Sequence, residues 1–404
     1  MKILLINNFH YIKGGSEAVY FNMARMFVRM GHEVVFFSCT SDRNLDGANE
    51  YFVKPNSEVN KLVGAMRYIY NGSAARALDR LLTEHKPDIA HIHLFWGGLS
   101  SSILGVLKRH KVPIIHTAHD YRMICPAYTL RRTDGTICDK CYGGNYLHCI
   151  ANKCSKNSFI HSCLMSAEFF FRNWFIRPLE AIDGIVFVSR FSYEQHLTAM
   201  PALAAKRTLV AHNAIDALPE SAISKTMGNY YLYFGRLSQE KGLVTLINTF
   251  NALPHLQLKI VGEGPMTDTL KAIAGANIEF CGYQSGDTLR STIRDCKAII
   301  VPSEWYENNP MTIIEASAAG IPAIGARIGG IPEIIVEGKT GYIFTPKSVE
   351  ELTEAVSKLE ALTSEQYEVM SQNCREFADE KFSDRALYNK VIDFYTSILD
   401  SYES

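Results

Sequence analysis

Residues 297–330, KAIIVPSEWYENNPMTIIEASAAGIPAIGARIGG, contain a strand, a helix and a second strand in immediate succession. The apolar run KAIIVPS predicts a buried strand, MTIIEASAAG predicts a helix, and PAIGA predicts the next strand. Asn309 suits the N-cap of this helix, and Pro310 suits its first position, where a missing N–H costs nothing. A strand, a helix and a further strand form the repeating unit of a parallel sheet, so this stretch predicts an α/β fold.

The same stretch places two carboxylates around the start of its helix. Glu307 precedes the helix and Glu315 follows about one and a half turns into it. The N–H groups of Met311 and Thr312 would point out of the helix N-terminus, which is a ready anion site. Carboxylates beside a phosphate make sense when the ligand also carries hydroxyls to donate to them. A sugar joined through a diphosphate to a nucleoside meets both conditions.

Outward from this stretch, apolar runs alternate with helical patterns through most of the chain. The alternation runs from KILLINN at the N-terminus to TLVAHN, and it restarts at YYLYFGR after a linker. Alternation of this kind indicates parallel sheets covered on both faces, with ligands at the carboxyl ends of the strands. We therefore predict two doubly wound, Rossmann-like domains facing a cleft, over residues 1–214 and 215–380. We expect a C-terminal helix over residues 381–404 to pack back on the first domain.

Composition is that of a globular protein with an uneven charge distribution. The 404 residues are 47% apolar and 21% charged, which excludes a disordered chain. Residues 1–214 carry 25 Lys and Arg against 16 Asp and Glu, whereas residues 215–404 carry 16 against 26. The basic half would suit lipid headgroups or nucleic acid, and scattered solvated charge is the plainer alternative.

No apolar run is long enough to span a bilayer, and Asn7, Asn8 and His10 interrupt the first one, so a signal peptide is not indicated. We expect a cytoplasmic protein whose ten cysteines begin as thiols.

Two glycine-containing segments in the second half follow predicted strands. In GRLSQEKG, Gly235 precedes Arg236, whose planar fork suits a diphosphate, and Lys241 adds a mobile point charge. In KIVGEGP, Gly262 and Glu263 form a turn that would let the backbone approach a base or ribose. Surface cations and an ordinary tight turn are the respective alternatives.

Two features of the first half also follow predicted strands, as the two segments of the second half do. Gly14 and Gly15 follow the first strand and open the first helix, so their backbone N–H groups would reach a phosphate. The sequence lacks Gly-x-Gly-x-x-Gly at this point, which argues against a dinucleotide dehydrogenase. His119 ends the strand VPIIHTAHD, where it would donate to a sugar hydroxyl or stabilise developing charge, a structural histidine being the alternative.

A cysteine-rich, basic insert spans residues 122–163. The spacing of its cysteines makes four of them candidate ligands of a structural zinc ion: Cys138, Cys141, Cys149 and Cys154. Cys125, His148 and Cys163 are competing ligands, and free thiols or opportunistic disulfides are the alternative to zinc. The aromatic stretch that follows, residues 159–179, suits a membrane interface, and it equally suits a core helix, which we favour.

At this point the motifs resemble a known family. GRLSQEKG, KIVGEGP, the stretch from Glu307 to Glu315, GIPAIGARIGGIPEII and EGKTGYIF are similar to the second domain of glycosyltransferase family 4, retaining enzymes of the GT-B fold. The resemblance covers residues 230–345 and extends more loosely over the first domain. The chain departs from it at Asn308 and Asn309, where many members have Gly or Phe-Gly, and in the cysteine insert.

The resemblance implies a role for each candidate residue. Arg236 and Lys241 would hold the donor diphosphate, and Glu315 would bind the ribose. The remaining donor contacts would come from Glu307 to the sugar, from the N–H groups of Met311 and Thr312 to the distal phosphate, from Gly15 to the diphosphate, and from His119 beside the transferred sugar.

The implied reaction moves a hexosyl or N-acetylhexosaminyl group from a nucleotide-diphosphate sugar to an acceptor hydroxyl with retention at the anomeric carbon. No Asp-x-Asp is present, so no metal cofactor is required for catalysis. The departing phosphate would take the acceptor proton on the same face. The basic first half and the aromatic stretch favour a lipid-linked glycan acceptor in bacterial surface polysaccharide synthesis, with peripheral contact at the cytoplasmic membrane face.

Two other functions compete with this interpretation. A nucleotide-sugar epimerase can share the fold and needs no acceptor, but it leaves the basic insert unexplained. A zinc-containing binding module for nucleic acid or a protein partner is the non-enzymatic alternative. Its cysteine spacing fits no standard finger, and its aromatic residues are not interleaved with basic ones, so no nucleic-acid partner is expected.

Overall fold

The computed structural model of this chain describes residues 1–224 and 226–403. They divide into two compact units. The first unit contains residues 1–212 together with the C-terminal segment from residue 387, and the second unit contains residues 213–386. Each unit is built on one six-stranded parallel sheet.

The sheet of the first unit has the strand order β2-β1-β3-β4-β5-β6. Its strands are β1 (Lys2–Ile6), β2 (Glu33–Phe37), β3 (Ile89–Ile92), β4 (Ile114–Ala118), β5 (Gly184–Phe187) and β6 (Arg207–Val210). Eight helices of this unit come before the second unit in the described sequence: α1 (Gly15–Arg29), α2 (Lys61–Ile69), α3 (Gly72–His85), α4 (Ser102–Arg109), α5 (Leu147–Ala151), α6 (Phe159–Phe171), α7 (Pro178–Ala181) and α8 (Arg190–Ala199). Strands β3, β4 and β5 are buried at every position, as expected for parallel strands covered on both faces, and the polar residues within them, His91, His116 and Thr117, are buried as well.

The sheet of the second unit has the order β12-β11-β10-β7-β8-β9. Its strands are β7 (Tyr230–Phe234), β8 (Gln257–Val261), β9 (Ile278–Gly282), β10 (Ala298–Val301), β11 (Ala323–Ala326) and β12 (Gly341–Phe344). Its helices are α9 (Leu243–Asn251), α10 (Thr267–Ile273), α11 (Gly286–Arg294), α12 (Met311–Ala318), α13 (Val349–Glu360) and α14 (Ser364–Phe382). Both sheets change direction of strand order at an internal strand, so the predicted doubly wound architecture is confirmed.

The last helix, α15 (Asp384–Glu403), packs on the first unit. The hydroxyl of Tyr395 is hydrogen-bonded to the buried His91 of β3. Near the end of the helix, the hydroxyl of Tyr402 donates to Asp183 at 2.8 Å and accepts from Lys108 at 3.1 Å. The prediction that the C-terminal helix returns to the first domain is therefore confirmed.

In the part of the chain that the structure describes, no helix combines the length and the apolarity needed to cross a bilayer.

Candidate active site

The candidate site of the second unit lies where β7 and β10 end. These strands are neighbours in the sheet and run parallel, so the segments that follow them emerge at the same edge. Gly235 and Arg236 follow β7 directly, and the loop containing Glu307 follows β10.

An ion pair between a half-buried lysine and a buried glutamate joins the two loops. The Lys241 ammonium lies 2.6 Å from Oε1 of Glu307, and the Ser303 hydroxyl donates to the same oxygen at 2.8 Å. The Lys241 Nζ also lies 5.3 Å from the centroid of the Trp305 ring, a cation–π distance. Burial opposes ionisation of Glu307, but the adjacent ammonium and the Ser303 hydroxyl lower its pKa below the ordinary value. The site therefore presents a charged lysine held by an ionised glutamate.

The turn at Gly329 and Gly330 packs closely against the backbone of the Glu307 loop. The Gly330 N–H donates to the carbonyl oxygen of Glu307 at 2.7 Å. Gly329 has a φ of 61°, and a Cβ at this position would lie 2.1 Å from the same carbonyl oxygen. Only glycine fits at position 329, because of this positive φ and the short distance to the carbonyl oxygen. Sequence reasoning assigned no role to these two residues, although the double glycine was a visible signal.

Helix α12 begins one residue later than predicted, and its predicted cap is wrong. Pro310 occupies the N-cap position with extended backbone, and no side chain caps the helix. The Asn309 side chain instead accepts the backbone N–H of Asn213 at 2.8 Å, and the Asn213 amide donates to the Asn309 carbonyl at 3.1 Å. In the part of the chain that the structure describes, the helix has no side-chain cap hydrogen bond, so the first-turn amides of Met311 and Thr312 are available to a ligand.

Glu315 and Arg236 differ from the ion pair in the surroundings of their charged groups. Glu315 is half-buried on α12, and burial raises the pKa of its carboxyl to about 7. The Arg236 side chain is exposed, while its carbonyl oxygen accepts from the Tyr233 hydroxyl at 2.9 Å. Within residues 1–224 and 226–403, neither charged group makes a hydrogen bond or ion pair with the protein, so both are open to a ligand.

Gly262 and Glu263 border a depression of about 330 Å³ beside the ends of β8 and β9. A Cβ at Gly262 would lie 1.9 Å from the carbonyl oxygen of Gly235, so this glycine is required by the close approach of two backbone turns. Thr267, Lys271 and Phe280 also line the depression. Its mixture of an aromatic ring, a cation and a carboxylate suits a polar ligand with a flat apolar part.

In the first unit, His119 follows β4, is half-buried and adjoins the buried histidines His91, His93 and His116. Its Nε2 lies 2.8 Å from Nδ1 of His93, and the two rings are stacked 5.0 Å apart. Burial lowers the pKa of His119 to about 4, so the ring is neutral near pH 7. The ring can therefore take part in hydrogen bonds without carrying charge. His93 was missed because its contact with His119 joins residues that follow two different strands, β3 and β4.

Gly14 and Gly15 lie at the start of α1, as predicted from their position after β1. Gly14 is the N-cap residue with extended backbone, and no side chain caps the helix. The adjacent Glu17 is buried, and this burial raises the pKa of its carboxyl above the ordinary value. Glu17 was not singled out from the sequence, since nothing in its local pattern predicts burial of a first-turn carboxylate.

The cysteines of the insert converge on one small cavity. All four predicted zinc ligands line it, together with Cys125 and His148. The neighbouring Cys149 thiol and burial raise the pKa of the Cys154 thiol. In the described ranges, no three His, Cys, Asp or Glu side chains are arranged to hold a metal ion. Zinc binding at this cavity stays a prediction.

Two independent comparisons address the class of protein. Sucrose-phosphate synthase from Thermosynechococcus elongatus superposes with a TM-score of 0.70 at 16% identity, covering 99% of each chain. Anabaena HepE in complex with UDP-glucose superposes with a TM-score of 0.66 at 16% identity, covering 98% of this chain and 100% of HepE. The two parallel sheets and these neighbours define the GT-B fold.

The family follows from the sequence matches. The profile described as Glycosyltransferase Family 4 matches residues 13–217, half of the chain, and that described as Glycosyl transferases group 1 matches residues 215–377. The chain belongs to glycosyltransferase family 4. Sulfoquinovosyl transferase of Arabidopsis thaliana is 34% identical over 166 residues, which is 40% of this chain and 32% of that relative. The chain thus spans about a third of the length of this relative.

Proposed function

We propose that this protein is a retaining glycosyltransferase that moves a hexosyl or N-acetylhexosaminyl group from a nucleotide-diphosphate sugar to an acceptor hydroxyl. The observation that carries the proposal is the Lys241–Glu307 pair at 2.6 Å, placed at the edge of the sheet where the uncapped α12 begins. A cation, a carboxylate and free helix amides together suit a ligand that has both phosphate and hydroxyl groups.

Each donor contact is assigned by the chemistry of its side chain. Lys241 and the exposed Arg236 would neutralise the diphosphate, and the first amides of α12 would bind its distal phosphate. Glu315 would accept hydrogen bonds from the ribose, and Glu307 would accept from the transferred sugar. These cations and amides would stabilise the leaving diphosphate without a catalytic metal, while that phosphate takes the acceptor proton. His119 keeps the role that family membership implies, contact with the transferred sugar.

For the acceptor, we propose a lipid-linked glycan of bacterial surface polysaccharide synthesis, modified at the cytoplasmic face of the membrane. The support is the excess of basic residues in residues 1–214, 25 against 16 acidic ones, and the aromatic segment at residues 159–179. A lipid-linked glycan at an anionic membrane brings together negative charge and an apolar chain, the two features that such a surface would recognise.

Hydrolysis of a panel of nucleotide-sugars without acceptor, with and without EDTA, tests the proposal. We expect slow release of nucleoside diphosphate from one donor at a rate that EDTA does not change. Interconversion of the sugar while still attached to the nucleotide would instead identify an epimerase. Release that requires a divalent cation would contradict metal-independent stabilisation of the leaving group.

The pKa of Glu315 makes donor binding depend on pH. Its carboxyl has a pKa of about 7 in the folded protein, so it is mostly protonated below that pH and accepts hydrogen bonds fully only above it. We expect the donor KM to fall roughly tenfold between about pH 6 and about pH 8, because a carboxylate accepts from the ribose more strongly than a carboxylic acid does. Glu315→Gln should flatten this KM profile. A native KM that does not change across the range would contradict the assignment.

For the insert, we propose that a structural zinc ion draws the thiols around the cavity together. Support comes from the convergence of Cys138, Cys141, Cys149 and Cys154 on one small cavity, although they lie apart in the sequence. We expect about one zinc per purified chain, reduced in Cys141→Ser and unchanged in the control Cys281→Ser of β9. Metal-free native protein with freely titratable thiols would contradict zinc binding.

A further inference from the structure

The segment that follows the cysteine insert has its polarity reversed relative to an ordinary surface helix. Helix α6 continues into one π-helical turn, Arg172–Ile176. Its two oppositely charged residues point inward: Glu168 and Arg172 are buried and lie 3.6 Å apart, and the Arg172 guanidinium stacks 4.0 Å from the Trp96 ring. Burying a charged pair is costly. The segment buries this pair even though it also contains apolar residues that could have been buried instead.

The apolar residues of the same segment point outward. Five of them are between 53% and 78% exposed: Phe159, Ile160, Phe170, Trp174 and Phe175. At the helical period of 3.6 residues, Phe159 and Phe170 lie roughly 20° apart around α6, so they share one face. The Phe170 and Trp174 rings stack at 5.5 Å, which continues that face into the π-helical turn.

Helix α2 extends this surface. It packs against α6, and the Tyr70 ring at its end lies 6.2 Å from the Phe171 ring. Leu62, Met66 and Tyr70 are exposed large side chains of this helix. We call the five exposed side chains of α6 and its π-helical turn, together with these three, the aromatic face. Contiguous exposed apolar surface of this kind marks a binding site rather than ordinary solvent-exposed surface.

The charged residues around the aromatic face indicate which kind of partner binds there. Helix α2 contains no acidic residue, and the only one in α6 is the buried Glu168. Exposed cations border the face at Lys61, Lys156 and Arg177. Glu58 and Glu180 are the nearest exposed carboxylates in sequence, and Glu180 is 3.5 Å from Arg177. Aromatic and aliphatic side chains bordered by cations match the headgroup region of an anionic bilayer.

We propose that the aromatic face inserts into the interface of a membrane that contains anionic lipids. A protein partner would require complementary carboxylates as well as an apolar groove, whereas a bilayer supplies anionic headgroups above a continuous apolar layer. The inference deepens the proposed function, because it identifies the surface through which the enzyme would reach a lipid-linked acceptor. The membrane proposal does not depend on the donor site, so an experiment can refute either one without refuting the other.

Vesicle flotation of the full chain tests this proposal. We expect binding to vesicles of phosphatidylcholine with about 30% phosphatidylglycerol, at least roughly tenfold stronger than to phosphatidylcholine alone, since several cations border the face. The double variant Trp174→Ser, Phe175→Ser should lose at least about tenfold in vesicle binding, because two interfacial aromatic side chains are removed. Donor hydrolysis by this variant should stay at the native rate.

Tyr283→Ser is the matched control, because Tyr283 is also a highly exposed aromatic residue but belongs to the second unit. This control should bind vesicles as the native chain does. Equal flotation of the double variant and the native chain would overturn the proposal. Absence of native binding to anionic vesicles would also overturn it. A native dimer that dissociates in the double variant would overturn it as well, because the aromatic face would then be an interface between two copies of the chain.

Discussion

Glu307→Gln is expected to lower turnover by about 100-fold or more while nucleoside diphosphate binding changes little. Glutamine preserves the shape of the side chain and can still accept from Ser303 and Lys241, so the loop should keep its conformation. It removes the negative charge that Glu307 would place beside the transferred sugar, an interaction that matters most as charge develops at the anomeric carbon. The measurement is kcat for the donor identified by the nucleotide-sugar panel, with the diphosphate Kd measured in parallel.

Glu304→Gln is the control for this prediction. Glu304 belongs to the same loop but accepts from Thr245 at 3.0 Å and is not assigned to the donor site. It should retain native turnover. Native turnover in Glu307→Gln would refute the role of Glu307, and loss of diphosphate binding in that variant would mean that the loop, rather than the charge, had been disturbed.

Lys241→Met is expected to be the more damaging substitution, because it affects both catalysis and folding. Removing the ammonium takes away a cation of the diphosphate site, which should cost roughly 100- to 1,000-fold in kcat/KM. It also leaves the Glu307 carboxylate buried without its counter-charge, which should lower the free energy of unfolding by about 1–2 kcal/mol, given that Lys241 is itself partly exposed.

The stability effect of Lys241→Met has a defined dependence on pH. Because Lys241 lowers the pKa of Glu307, the native pair stabilises the fold above the carboxyl's unfolded pKa, and this contribution is lost as pH falls through the lower folded value. The difference in unfolding free energy between native and variant should therefore be largest near neutral pH and shrink in acid. Denaturant unfolding measures it, with Lys259→Met as control, since Lys259 lies 3.7 Å from the exposed Glu279. Equal loss of stability in both variants would contradict a special role for the buried pair.

The fold was predictable because its signal is local. Most strands of the two sheets are short, largely apolar runs, and strands buried at every position, such as β3, β4 and β7, show no strict alternation of apolar and polar residues. The position of Glu307 after β10 was predictable for the same reason. The approximate start of α12 was correct, but Asn309 was misassigned as its cap because the competing partner, the backbone of Asn213, is distant in sequence.

The contacts that organise the candidate site were not predictable, since they join distant residues. Lys241 and Glu307 were identified separately, and only the structure shows that they form one pair. His93 directly follows β3 and His119 directly follows β4, so their contact depends on how these two strands are paired. For residues 159–179, composition suggested a core helix, whereas Phe170, Trp174 and Phe175 are exposed and Arg172 is buried. Helical periodicity alone cannot tell which face of so apolar a segment points inward.

The central claim is that Lys241, Arg236 and the start of α12 recognise a diphosphate without a metal ion. Calorimetric titration in the presence of EDTA tests it most directly, comparing the diphosphate and monophosphate of each of uridine, guanosine and adenosine. For one base, we predict a diphosphate Kd at least about tenfold below the monophosphate Kd, with the difference abolished in Lys241→Met. Equal affinities for diphosphate and monophosphate, or a preference that appears only when a divalent cation is added, would contradict the claim.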